Sequence, residues 1–182
     1  ILGQFFGLIT TLIFAKFLNP SGFGSYSLSL MIIAIFSALL INSSQTPFII
    51  HANQEKNKTG KINKSFSTQI IFFSISLFLF ILIVFLFNEQ MSNFANIEKI
   101  TLIFLIFAFI GISVSSLLSN IFLALDRKNE SAIVNMVNSI LMFFLVLIFY
   151  YTNVLSLKSL FLVYFIAGVL TFSILFKKID TK

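Results

Sequence analysis

Phe66-Ser67-Thr68-Gln69-Ile70-Ile71-Phe72-Phe73-Ser74-Ile75-Ser76-Leu77-Phe78-Leu79-Phe80-Ile81-Leu82-Ile83-Val84-Phe85-Leu86-Phe87 carries no charge from end to end. A bilayer core of about 30 Å is crossed by roughly 20 apolar residues in helical form. Unpaired amides are intolerable in hydrocarbon, so only a helix or a closed barrel can make that crossing. Barrel strands alternate apolar and polar positions, whereas 81–87 is solidly apolar. This stretch is therefore a transmembrane helix, and the fold class is all-α.

Five more segments have the same character, giving expected spans at about 1–18, 26–50, 66–87, 100–125, 132–151 and 160–176. The chain reads as one membrane domain, a polytopic bundle of six transmembrane helices over residues 1–182. Its composition agrees: 58% of residues are hydrophobic and 10% charged, where soluble domains average about 45–50% apolar and about 25% charged. Within 26–50, Asn42-Ser43-Ser44-Gln45-Thr46-Pro47 interrupts the apolar run. Proline removes a backbone donor and kinks a helix, so the second span is expected to be broken there. Apolar from Ile1 and lacking an initial methionine, the sequence reads as a fragment that starts inside a first span.

The 12 basic residues sort unevenly between the two ends of such a bundle. Lys16, Lys99 and Lys158 fall on one side. Lys56, Lys58, Lys61, Lys64, Arg127, Lys128, Lys177, Lys178 and Lys182 fall on the other. Lysine and arginine favour the cytoplasmic face, so the nine-residue side is expected to be cytoplasmic, with both ends of the segment there, in a plasma or inner membrane. The connection 52–65 reads as a lysine-rich loop attracted to anionic membrane lipid. Tyr26, Tyr150, Tyr151 and Tyr164 fall near outer ends of spans, where tyrosine anchors at the water interface.

Catalytic chemistry has little to work with. All six acidic residues lie in connections or the tail, and there is one histidine and no cysteine. Buried carboxylates or histidines serve as acid, base or relay in membrane enzymes and pumps, so no catalytic residue, metal site or cofactor is expected, and the chain is not expected to be an enzyme. Nucleic acid is not expected as a partner, because no aromatic stacking platform accompanies the lysines.

The remaining polar residues are Gln4, Asn42, Gln45, Gln69, Asn120, Asn135 and Asn138, and every one falls toward the basic end of its helix. They either line a wet vestibule, in which a sugar headgroup exchanges hydroxyl hydrogen bonds, or glue helices together at roughly 0.6 kcal/mol per contact. Their asymmetry favours the vestibule, with Gln69, Asn120, Asn135 and Asn138 as candidate substrate contacts. Small residues recur at Gly3, Gly7, Thr11 and Ala15, and at Gly111, Ser115 and Ser119. Both series read as close-packing seams. Lys16 lies about 22 Å along the first helix from Ile1 at 1.5 Å per residue. It either snorkels to the interface or points into a cavity.

Ala15-Lys16-Phe17-Leu18-Asn19-Pro20-Ser21-Gly22-Phe23-Gly24-Ser25-Tyr26 resembles the end of the first helix and first outer loop of polysaccharide biosynthesis flippases, with lysine where arginine is usual. Within it, Asn19-Pro20-Ser21-Gly22 reads as a tight turn. Leu123-Ala124-Leu125-Asp126-Arg127-Lys128 is similar to the family's basic turn between helices four and five. The run 42–47 departs from the family's usual glycine-containing helix end. The resemblance implies the multidrug/oligosaccharidyl-lipid/polysaccharide exporter superfamily, whose fold has two six-helix lobes and a central cavity. It implies the N-terminal lobe, moving polyprenyl-pyrophosphate-linked oligosaccharide to the outer leaflet, with polysaccharide assembly machinery as a further partner. Lys16 is then a candidate contact for phosphate or acidic sugar. A multidrug extruder of the same superfamily and a non-transporting scaffold subunit are the competing readings.

Overall fold

The computed structural model describes residues 2–178, so Ile1, Asp180 and Lys182 lie outside the described residues. The described residues are helical almost throughout, as α1 Leu2–Phe17, α2 Asn19–Phe36, a π-helical segment Ser37–Asn42, α3 Ser43–Thr59, α4 Asn63–Leu86, α5 Asn88–Ala95, α6 Lys99–Ala124, α7 Lys128–Tyr151 and α8 Leu157–Leu175. The all-α polytopic architecture holds. Five helices are long and apolar enough to cross a membrane, and α1, at 16 residues, is a shorter apolar helix.

The largest departure from expectation concerns the second span. Asn19-Pro20-Ser21-Gly22 is the first turn of a helix and not a separate tight turn, with Leu18 alone linking it to α1. Asn19 takes φ +57°, which asparagine tolerates better than most residues, and Pro20 follows where its missing N–H would have been unbonded anyway. From Asn19 the helix continues 41 residues to Thr59, unbroken at Pro47. The strain of the proline is absorbed upstream in the wider π turn. There Ser43, Ser76 and Ser44 hydroxyls donate to the carbonyls of Leu39, Leu40 and Ile41, each at 2.8 Å. Side chains thus repair the ladder that the backbone leaves open.

The expected loop 52–65 shrinks accordingly. α3 ends at Gly60, whose φ of +74° and 2.8 Å bond to the Lys56 carbonyl form a left-handed cap, a conformation that glycine adopts without strain. Two cations in the last turn, Lys56 and Lys58, suit the negative end of the helix dipole. At the other end of the bundle, the amphipathic helix α5 occupies part of what reads as loop in the sequence, burying Met91, Ser92 and Ala95.

α6 is the central element and carries more buried residues than any other helix. It crosses α8 where Gly111 meets Gly168: a Cβ on Gly168 would stand 2.1 Å from the Gly111 carbonyl oxygen. Phe80 and Phe109, both fully buried, stack at 3.9 Å between α4 and α6. α4 is inverted relative to a soluble helix. Gln69, Ser76, Phe80 and Val84 face inward, while Ile71, Phe72, Ile75, Phe78 and Phe85 are exposed, as lipid contact requires. The fourth-span seam packs as expected, with Ser119 hydroxyl bonded to Ser131 of α7 at 2.6 Å. The first-helix strip packs only at its start. A Cβ on Gly3 would lie 3.3 Å from Met136 Cα, but Gly7 has nothing within 4 Å, and Thr11 and Ala15 are exposed.

Two of the four tyrosines are not interface anchors. Tyr26 is only 4% exposed and its hydroxyl meets that of Tyr164 at 2.6 Å, between the rings of Phe14 and Phe161. One phenol donates to the other, which lowers the cost of removing the two hydroxyls from solvent. Tyr150 and Tyr151 are exposed.

Candidate functional site

The amides of the spans gather at the basic end of the bundle, in two arrangements. The first is a set of ties inside the helix packing. Gln45 Nε2 on α3 donates to Asn42 Oδ1 at 2.8 Å and to Ser116 Oγ on α6 at 3.0 Å. Asn138 Oδ1 on α7 accepts from Ser115 of α6 at 3.4 Å and Thr171 of α8 at 3.3 Å, so one amide joins three helices. Asn120 is buried on α6 with its Nδ2 unpartnered, as is the Ser113 hydroxyl.

The second arrangement is a cleft of about 690 Å³ between α3 and α4, lined on one side by Leu40, Ser44, Phe48, His51 and Lys58 and on the other by Lys64, Thr68, Gln69 and Phe72. The antiparallel helices present matching polarity at each level. Lys58 and Lys64 stand at the mouth. Gln69 Nε2 reaches Ser44 Oγ at 3.2 Å deeper in, and Phe48 and Phe72 supply apolar wall. The mouth is pinned by Glu55. Its carboxylate accepts from the Lys64 and Ser65 backbone N–H groups at 2.9 and 2.7 Å and from the Ser65 hydroxyl at 2.6 Å. A carboxylate there satisfies N–H groups of the first turn of α4 that have no partner within the helix.

The sequence-derived candidates are thus dispersed. Gln69 lines the cleft. Asn120 is interior to α6, Asn138 is a packing tie, and Asn135 is exposed near the start of α1. Asn120, Asn135 and Asn138 do not line that cleft, so the four amides do not share one vestibule there. Lys16 is exposed in the last turn of α1, at the opposite end of the bundle. The other two cations of that end are paired: Lys99 with Glu89 at 2.6 Å and Lys158 with Glu98 at 2.7 Å. Hydrogen bonding and proximity of those ammonium groups hold both carboxyls below their ordinary value. Among the described residues Lys16 has no such carboxylate.

His51, Gln54, Lys58, Lys64 and Thr68 line the cleft and were not among the candidates. Their signal lies in spacing: 44, 47–48, 51, 54–55 and 58 form one stripe if the helix runs on past Pro47. Among the described residues no cluster of His, Cys, Asp or Glu could hold a metal ion.

A family model described as polysaccharide biosynthesis protein matches residues 1–181. No curated protein and no solved structure matches the chain.

Proposed function

The chain belongs to the polysaccharide biosynthesis protein family, and from that membership we propose that it acts in a flippase moving a polyprenyl-pyrophosphate-linked oligosaccharide from the cytoplasmic to the outer leaflet of a bacterial plasma membrane. The observation that carries this reading is the family match over residues 1–181. The spans supply a multi-pass membrane body for it. The positive-inside bias assigns the lysine-rich end to the cytoplasm, and the product serves cell-surface polysaccharide such as O-antigen or capsule. No bond is made or broken in this scheme. The lipid tail stays in hydrocarbon while the polar head crosses along protein, which avoids burying pyrophosphate charge unpaired. Lys16, the cation of its end that lacks a carboxylate partner, is the proposed contact for phosphate or acidic sugar, and polysaccharide assembly proteins are the proposed partners.

The test is complementation of a bacterial strain deleted for its own oligosaccharide flippase, using the gene that encodes this chain. Restored surface polysaccharide on a gel supports the reading. Membrane-inserted protein that restores none, while conferring resistance to lipophilic drugs, places the chain with multidrug extruders instead.

A further inference from the structure

We propose that the α3–α4 cleft is a binding site for an anionic phospholipid of the leaflet at the basic end. The cleft combines three features that a phospholipid needs. Its mouth holds Lys58 and Lys64, and neither ammonium belongs to an ion pair among the described residues. Glu55, the one carboxylate of the lining, already accepts three hydrogen bonds from Lys64 and Ser65. It offsets only part of the charge, and the mouth stays net positive.

Below the mouth the lining changes in the order in which a phospholipid changes. His51, Gln54 and Thr68 offer polar groups at the level of a glycerol ester, and Phe48, Phe72 and Leu40 form apolar walls beyond them, where the Gln69 amide and the Ser44 hydroxyl are bonded to each other. From Leu40 to Lys58 the helix rises about 27 Å at 1.5 Å per residue, enough for a headgroup and much of one leaflet's acyl chain. Phe72 is 52% exposed, so the cleft opens sideways and a chain can slide in without the helices parting. Anionic lipid is attracted by about 1 kcal/mol per lysine near the surface, so two converging lysines select phosphatidylglycerol over phosphatidylcholine by roughly 30-fold.

The experiment titrates the purified 182-residue chain, in detergent, with phosphatidylglycerol and with phosphatidylcholine, and counts bound lipid by native mass spectrometry. The expected result is a phosphatidylglycerol adduct weakened about 30-fold in the double variant Lys58→Gln/Lys64→Gln. It should change by less than about twofold in Lys61→Gln/Lys128→Gln, which removes equal charge from the same end outside the cleft. Phe72→Ala, at a position 52% exposed, should weaken the adduct several-fold by shortening the apolar wall. Equal binding of both lipids, equal loss in both double variants, displacement by millimolar inorganic phosphate, or preferential binding of a polyprenyl phosphate would each overturn the proposal. None of these outcomes requires transport, so the result stands apart from the fate of the flippase reading.

Discussion

Replacing Gly168 by alanine adds one carbon at the crossing of α6 and α8, and the geometry fixes what that carbon meets. Built on the backbone, it stands 2.1 Å from the Gly111 carbonyl oxygen and 2.6 Å from the carbonyl carbon, both backbone atoms that no rotamer can move. An ordinary contact begins near 3.4 Å, so the two helices must separate by about 1.3 Å, the difference of the two distances. Around the crossing Leu105, Ala108, Phe109, Phe161 and Ala167 are fully buried, and separation costs each of them close contact. Overpacking of this kind costs about 3 kcal/mol. In a chain of this length that corresponds to a midpoint lower by about 6–12 °C in a heated-aliquot size-exclusion assay. Gly7→Ala is the control, because nothing lies within 4 Å of its Cβ and alanine is the better helix former; its midpoint should stay level or rise. Gly111→Ala should resemble Gly168→Ala, and the double variant should cost less than the sum, since helices already parted for one methyl admit the other. Equal midpoints for Gly168→Ala and Gly7→Ala would refute the close crossing of α6 and α8.

Three further outcomes follow from the same structure. Tyr26→Phe and Tyr164→Phe each strand a hydroxyl and should cost about 1–3 kcal/mol in chemical unfolding, whereas the double variant should cost less than the two together; strictly additive losses would show that the pair does not interact. Lys16→Ala should abolish surface polysaccharide in the complemented strain at unchanged protein level, and Lys16→Arg should retain it because the charge remains; a fully active alanine variant would remove Lys16 from the candidates. A cysteine at Lys61 should react only with reagent on the cytoplasmic face and one at Asn93 only from outside. The native chain holds no cysteine of its own, and labelling of both from one side would end the assigned topology.

The sequence discloses those parts of the fold where one residue type dominates a whole helix. Phe66 to Phe87 could be nothing else, and α6, α7 and α8 lie within a few residues of their apolar runs. It misleads where a local rule competes with a tertiary repair. Asn42 to Pro47 reads as a break because proline and asparagine disfavour helices, yet three serine hydroxyls, one of them on α4, satisfy the carbonyls of the π turn. With the span ending near Ile50, 52–65 reads as a loop, and the stripe from His51 to Lys58 that lines the cleft is not legible. The tyrosine pair is hidden for a different reason. Tyr26 and Tyr164 are 138 residues apart, and a phenol near a span end looks the same whether it meets water or another phenol. The Gly111–Gly168 contact is half legible: Gly111 belongs to a recognisable small-residue seam, but nothing in the order of residues says that Gly168 is what packs against it. The amides illustrate the remaining difficulty. Their clustering at one end is correct, but whether an amide faces a cleft, as Gln69 does, or ties helices, as Asn138 does, depends on rotation about helix axes set by packing elsewhere.

Transbilayer movement of the lipid-linked oligosaccharide can be followed directly. The protein is reconstituted into proteoliposomes containing a fluorescent polyprenyl-pyrophosphate oligosaccharide, and the fraction of headgroup accessible to a membrane-impermeant quencher is followed with time. Protein-containing vesicles should expose the initially protected pool to the quencher, protein-free vesicles should not, and Lys16→Ala should slow the exposure. A protected pool that stays protected in vesicles holding folded, correctly inserted protein would contradict the flippase reading.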